Sequence, residues 1–333
     1  MGGAGHRHDG DHQPQRAHPA ADRPRPPGRV GTGDRRAGAG HPRLHQWRAE
    51  AIPPIRRPPH QPHPHHPHRV FLKPYQISKR HLISDIARAR VATVLADCLQ
   101  SVRDRIAKAC QRSGRSPSAV TLIGVTKTVP VERIEEAVTA GLTDLGENRV
   151  QEARAKHVVL SRFQLPASSF QRNVRWHMIG HLQSNKARQA VEIFDVMHSV
   201  DSLPLIEVLE REAAKQSKAV DVLIQVNVSG EAAKSGCRPD ETQGLAQALM
   251  NTSHLKLTGL MTIPPLADSP EASRPFFRQL RELRDTLQRG PLGHSATRPL
   301  QLSMGMSHDF EVAIEEGADV VRIGTAIFGA RAT

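Results

Sequence analysis

The sequence predicts an α/β fold, a (β/α)8 barrel of eight parallel strands, each followed by a helix. Three observations support this. From residue 84 onward, strand and helix patterns alternate until eight strands have appeared. Most strand patterns are short apolar runs without polar alternation, as expected when both faces of a parallel sheet are covered. The stretch is about 250 residues long, the usual size of one such barrel. A doubly wound open sheet is the structural alternative. It normally needs fewer strands, and no GxGxxG follows the first strand.

The elements follow in order. A first helix is predicted over 84–112, where Ile86, Val91, Val94, Leu95, Leu99, Val102 and Ile106 recur at mixed spacings of three to five. Strands are predicted at 120–127, 144–148, 176–180, 196–200, 222–228, 257–263, 302–306 and 320–324. Helices are predicted between them at 131–140, 150–157, 185–190, 203–216, 241–250, 275–287 and 309–316. Gly141, Gly290 and Gly317 stand where helices commonly stop.

Residues 1–83 read differently. The first 80 residues hold 14 of the 25 prolines and 9 of the 24 glycines, and no apolar period survives there. Such a segment buries too little surface to offset its ordering entropy, so it is expected to be a disordered Arg/Pro/His/Gly-rich leader before a single barrel domain at 84–333. It is alternatively an upstream extension of a natural start, and the histidine run from His60 to His68 invites loose metal binding. The net charge of +13 also belongs mostly here. Residues 1–80 carry 15 basic and 5 acidic residues, a net of +10, which leaves +3 for the rest. A near-neutral barrel without a basic stripe argues against nucleic acid as a partner. No run reaches the roughly 18 apolar residues of a membrane span. Three cysteines, none in a CxxC pair, fit a reducing cytoplasm and exclude a disulfide scaffold.

In a barrel the chemistry sits at the C-terminal ends of the strands. Lys127 ends the first, and alternation puts it on the side of Ile123 and Val125. A lysine at an apolar rim has a depressed pKa and becomes competent to form a Schiff base; the alternative is a lysine reaching solvent. Asn148 ends the second strand, either beside a ligand ring or as a helix cap. His177 and His181 are four apart but lie on strand and loop, which argues against a metal site. His181, Gln183, Asn185 and Lys186 either line the mouth or cap the next helix. The last two strands deliver Ser307 and the Gly324-Thr325 turn, where barrels often bind phosphate. Arg322, buried within the eighth strand, needs a carboxylate or a ligand atom. A phosphate cradle, an arginine beside it and a reactive lysine together imply a ligand with both phosphate and aldehyde. Pyridoxal 5′-phosphate (PLP) is the common cofactor with that pair of groups.

The stretches LIGVTKTVP, LGENRVQEA, WHMIGHLQSNK, HSVDS, LTGLMTI and LSMGMSHDFEVAIEEGADVVRIGTAIFG carry a resemblance. From about Ile86 to Arg331 the chain resembles the pyridoxal phosphate homeostasis proteins, formerly called proline synthase co-transcribed proteins. The leader has no counterpart in that pattern. The resemblance implies a fold-type III barrel like the N-terminal domain of alanine racemase. It implies PLP held as an internal aldimine on Lys127, phosphate contacts from Ser307, Gly324 and Thr325, Asn148 near the cofactor, and Arg322 facing the pyridine nitrogen. No carried-over position is substituted; His308 occupies a variable place.

The implied role is intracellular PLP homeostasis in the cytoplasm, without a defined catalytic activity, with possible transfer of the cofactor to PLP-dependent apo-enzymes. A monomer or weak homodimer is expected. The competing reading is an amino-acid racemase of the alanine racemase type. Racemisation needs an acid–base group on each face of the substrate Cα. The resemblance to fold-type III racemases implies that the second is a tyrosine from a separate C-terminal domain, for which the chain, ending just after the eighth strand, has no expected room. The one tyrosine, Tyr75, falls in the leader.

Overall fold

In the computed structural model the apolar runs pair into a closed barrel of eight parallel strands in sequence order, β1 hydrogen-bonding to β8. The structure describes residues 79–161, 174–290 and 299–330, except for the side chains of 79–93. The expected leader up to residue 78 lies outside these. The strands are β1 (Thr121–Val125), β2 (Asp144–Glu147), β3 (Arg175–Met178), β4 (Val196–Val200), β5 (Val220–Gln225), β6 (Leu255–Met261), β7 (Gln301–Met306) and β8 (Val320–Ile323). The helices are α1 (Lys79–Arg112), α2 (Val131–Thr139), α3 (Val150–Leu160), α4 (Ala187–Ile193), α5 (Leu203–Lys215), α6 (Thr242–Met250), α7 (Arg274–Arg289), α8 (Phe310–Glu315) and α9 (Thr325–Phe328). The predicted barrel is therefore the observed one.

Strand parity divides the apolar residues into two sets. Leu302, Met304, Val321 and Ile323 join Phe277, Leu280, Phe310 and Ile314 in the main core between sheet and helices. Val196, Leu223 and Met261 form a small separate cluster. Ile123 on β1 is in register with Arg322 on β8, so the two share the inward face.

Helix α9 has only four residues, too few to cover the β8–β1 seam, and α1 packs against α8, α9 and α2 in that position. Arg105 anchors it, pairing bidentately with Glu311 at 2.9 and 3.0 Å and lying 4.5 Å over the Phe310 ring. Arg115 reaches Asp319 at 2.7 Å, and Arg103 caps the end of α2 through Gly141 O at 2.7 Å.

Several expected boundaries shift. Helix α1 begins at Lys79, ahead of the expected domain start at 84. Strand β1 stops at Val125 rather than 127, and α9 was not foreseen. Gly141 and Gly317 adopt the left-handed conformation of helix stops, at φ 87° and 97°. Gly290 does not, at φ −87°.

Candidate functional site

Because all eight strands are parallel, their C-terminal ends form one rim, and the predicted site residues gather there. Lys127 follows β1, Asn148 follows β2, Ser307 follows β7, and Gly324 and Thr325 follow β8. Arg322 lies one turn deeper, inside β8.

Lys127 requires a correction to the sequence reading. It is half-buried in a turn two residues past the end of β1, so strand alternation does not set its direction. The ladder ends because β2 is short: the Thr126 N–H donates to Gly146 O at 2.9 Å, and beyond it the chain turns through Thr128 at φ 62°. Asn148 is half-buried in its own turn. The cap alternative fails for it, because Arg149 holds the N-cap position of α3 and no side chain caps that helix. Gly180 presses on the same turn; a Cβ there would stand 2.5 Å from the Asn148 carbonyl oxygen.

The turns after β7 and β8 meet. Asp309 closes the first by accepting the Met306 N–H at 2.7 Å, and Gly305, at φ 92°, allows the bend. The Ala326 N–H then points to Ser307 Oγ at 3.4 Å, which brings Ser307 beside the first turn of α9. Thr325 is exposed at that corner.

Arg322 is 3% exposed and donates to Ser303 Oγ at 2.7 Å and to Thr262 O at 2.9 Å. Among the described residues no carboxylate pairs with it. Burial pushes its guanidinium down to about 10, opposed by the charge of Asp309, so it stays cationic at neutral pH.

The sequence reading did not anticipate what lies behind Arg322. Ser303 is 2.9 Å from His198 Nδ1, His198 Nε2 is 3.0 Å from His177 Nδ1, and His177 Nε2 is 2.9 Å from Asp144 Oδ1. Five strands thus contribute one buried polar chain across the barrel. Burial, with His177 and Arg322 nearby, holds the His198 pKa well below its ordinary value. Burial pushes Asp144 up, but hydrogen bonds from His177 and Thr143 outweigh it and leave the carboxyl below its usual range. One arrangement of donors and acceptors satisfies every atom. Arg322 donates to Ser303, Ser303 to His198, His198 to His177, and His177 to the Asp144 carboxylate.

His177 and His198 also line a cavity of about 510 Å³, together with Arg175, Asp221 and Gln301. It opens at the N-terminal ends of the strands and includes none of the six predicted site residues. A metal reading finds no support: His177 is buried while His181 is exposed, 3.7 Å from Asp201. No cluster of metal-ligating residues occurs among the described residues. Gln183 and Asn185 are exposed too, and no side chain caps α4.

The comparisons with known proteins identify the family. The family model of the alanine racemase N-terminal domain matches residues 98–332. The chain is 46% identical over 233 residues to the pyridoxal phosphate homeostasis protein of Aquifex aeolicus, covering 70% of this chain and 96% of that one. It is 43% identical over 239 residues to the protein of the same name from Pseudomonas aeruginosa, covering 72% and 96%. Among solved structures it resembles PipY of Synechococcus elongatus with PLP bound, at 36% identity and a TM-score of 0.59, over 71% of this chain and all of that one. With its barrel, the matching domain model and these relatives, the chain belongs to the pyridoxal phosphate homeostasis protein family.

Proposed function

We propose that this chain binds pyridoxal 5′-phosphate at the barrel rim, holds it covalently through Lys127, and serves PLP homeostasis rather than a turnover reaction. The observation that carries this reading is Arg322. A buried guanidinium without a carboxylate partner is costly unless a ligand atom completes its shell. A guanidinium only donates hydrogen bonds, so the ligand must offer an acceptor there, such as an unprotonated ring nitrogen. Ser307, Gly324 and Thr325 supply hydroxyls and backbone N–H groups for a phosphate at the same rim. Asn148, after β2, would flank the ring, and Lys127, after β1, would hold the aldehyde. When bound, PLP supplies an electrophilic aldehyde and an electron-withdrawing ring.

The same residues argue against racemisation. Arg322 would keep a bound ring nitrogen unprotonated, which would weaken the ring as an electron sink. No tyrosine occurs among the described residues, so none is available as a second acid–base group. Delivery to apo-enzymes, a cytoplasmic location, and a monomeric or weakly dimeric state complete the proposal. No described helix is long and apolar enough to cross a membrane.

Borohydride reduction followed by peptide mapping tests it. The purified protein should show a visible absorption band that borohydride bleaches, with the label on Lys127. Lys127→Ala should lose the band and stay folded. A label on Lys186 or Lys234 would sink the assignment. L-Alanine should show no Lys127-dependent racemisation in the usual enzyme range of about 1–1000 s⁻¹.

A further inference from the structure

Lys156 is a lysine in the middle of α3 and only 6% exposed. Its ammonium has three donors, and all three are used: on Thr126 O at 2.6 Å, on Glu147 Oε1 at 2.8 Å and on Glu152 Oε1 at 2.6 Å. Stability alone is a weak reason for such a cluster, since apolar replacements of buried ion pairs are often neutral or better. What the cluster grips is more informative. Thr126 O belongs to the peptide group before Lys127. The Thr128 N–H belongs to the peptide group after it and donates to Glu152 Oε1. Glu147, fully buried, also accepts the Thr126 hydroxyl at 2.6 Å. Both peptide planes flanking the Lys127 Cα are therefore held from one side. Thr128 sits at φ 62°, a region that disfavours a β-branched residue, so the turn needs outside restraint to keep that shape.

We propose that Lys156, acting with Glu147 and Glu152, is a positioning residue that fixes the direction in which Lys127 leaves the backbone. The proposal rests on the reading of Lys127 as the cofactor lysine. The cluster touches neither the phosphate turns after β7 and β8 nor Arg322. It governs only the approach of the amine to the aldehyde, and the rest of the cofactor binds independently of it.

The test compares two ligands on the full chain: PLP, and 4′-deoxypyridoxine 5′-phosphate, which keeps ring and phosphate but lacks the aldehyde. Borohydride labelling of the wild type comes first. In Lys156→Met, PLP affinity should fall about 10- to 100-fold, the scale of a misdirected reacting group. The deoxy analogue should bind within about twofold of wild type. Lys156→Met leaves Glu147 buried without its cation. If that variant does not fold, Glu152→Ala decides, because Glu152 lies nearer the surface and its loss frees the Thr128 N–H. The same split between ligands is expected there, with the melting temperature of the cofactor-free protein nearly unchanged. Equal weakening of both ligands, or no change in either, overturns the proposal. A wild-type label away from Lys127 would instead overturn the reading beneath it.

Discussion

Arg322 and Asp144 are opposite charges at the two ends of a buried chain, with two histidines and a serine between them. The neutrality of His198 has a consequence for stability. Its folded pKa lies well below its ordinary value, so below pH about 6.5 the unfolded chain binds a proton that the folded one refuses. Its contribution is complete above that pH and is lost as pH falls, by at most about 1.4 kcal/mol per pH unit. Asp144 behaves in the same direction further down, losing its contribution below about pH 4. His198→Gln should cost about 1–3 kcal/mol at neutral pH by breaking the chain. The gap in melting temperature between variant and wild type should narrow from pH 7 to pH 5; a constant gap would show that His198 is not held neutral. At the rim, Thr325→Ala removes one hydroxyl from the proposed phosphate contacts, a loss of about 1.5–3 kcal/mol. PLP affinity should then fall about 10- to 100-fold. Pyridoxal, which lacks the phosphate, should bind unchanged, and equal loss of both would refute the contact.

At the scale of elements, the turns after β2 and β3 are pressed together. Gly180→Ala would drive a methyl group into the Asn148 backbone. Overpacking of this kind typically costs about 1–3 kcal/mol. It should also lower PLP affinity by displacing Asn148, measurable by titrating the visible band; an unchanged affinity would detach Asn148 from the site. This contact also shows where sequence reading stops. The alternation of elements is local, so 196–200 could be read directly as β4. The strand-end positions of Asn148, Ser307, Gly324 and Thr325 are legible because each lies next to turn chemistry. The position of Lys127 is not, because the length of β2, in a different segment, decides where β1 stops pairing. The polar chain was missed because its members come from five strands across 179 residues, Arg322 being 322 and Asp144 being 144. Inward parity on each strand, applied to Asp144, His177, His198 and Ser303 as it was to Lys127, was the available signal. In the sequence Lys156 is one more cation within α3, and only its burial marks it.

On the scale of the whole molecule, the barrel and its outer ring account for all the described residues from Lys79 onward. A chain beginning at Lys79 should therefore keep the melting temperature and PLP uptake of the full sequence. A clear loss in either would show that residues 1–78 contribute to the domain. That segment also carries most of the excess positive charge, so the shortened chain should bind less to a cation-exchange matrix.

The seam between β1 and β8 sets a clock. Thr121 pairs with Val320, and α1 rests on α8 and α9, so the first and last elements complete each other. A polypeptide emerging from the ribosome makes β1 long before β8, and until then one edge of β1 presents an open ladder without its partner strand. Closing so long a span is slow, and the waiting species is prone to join others of its kind. Refolding yield should therefore fall as protein concentration rises, and a separately added β8–α9 segment should rescue it only by occupying that edge. Synthesis rate and chaperone supply would then govern how much of this protein a cell obtains, more than the final stability of the closed barrel.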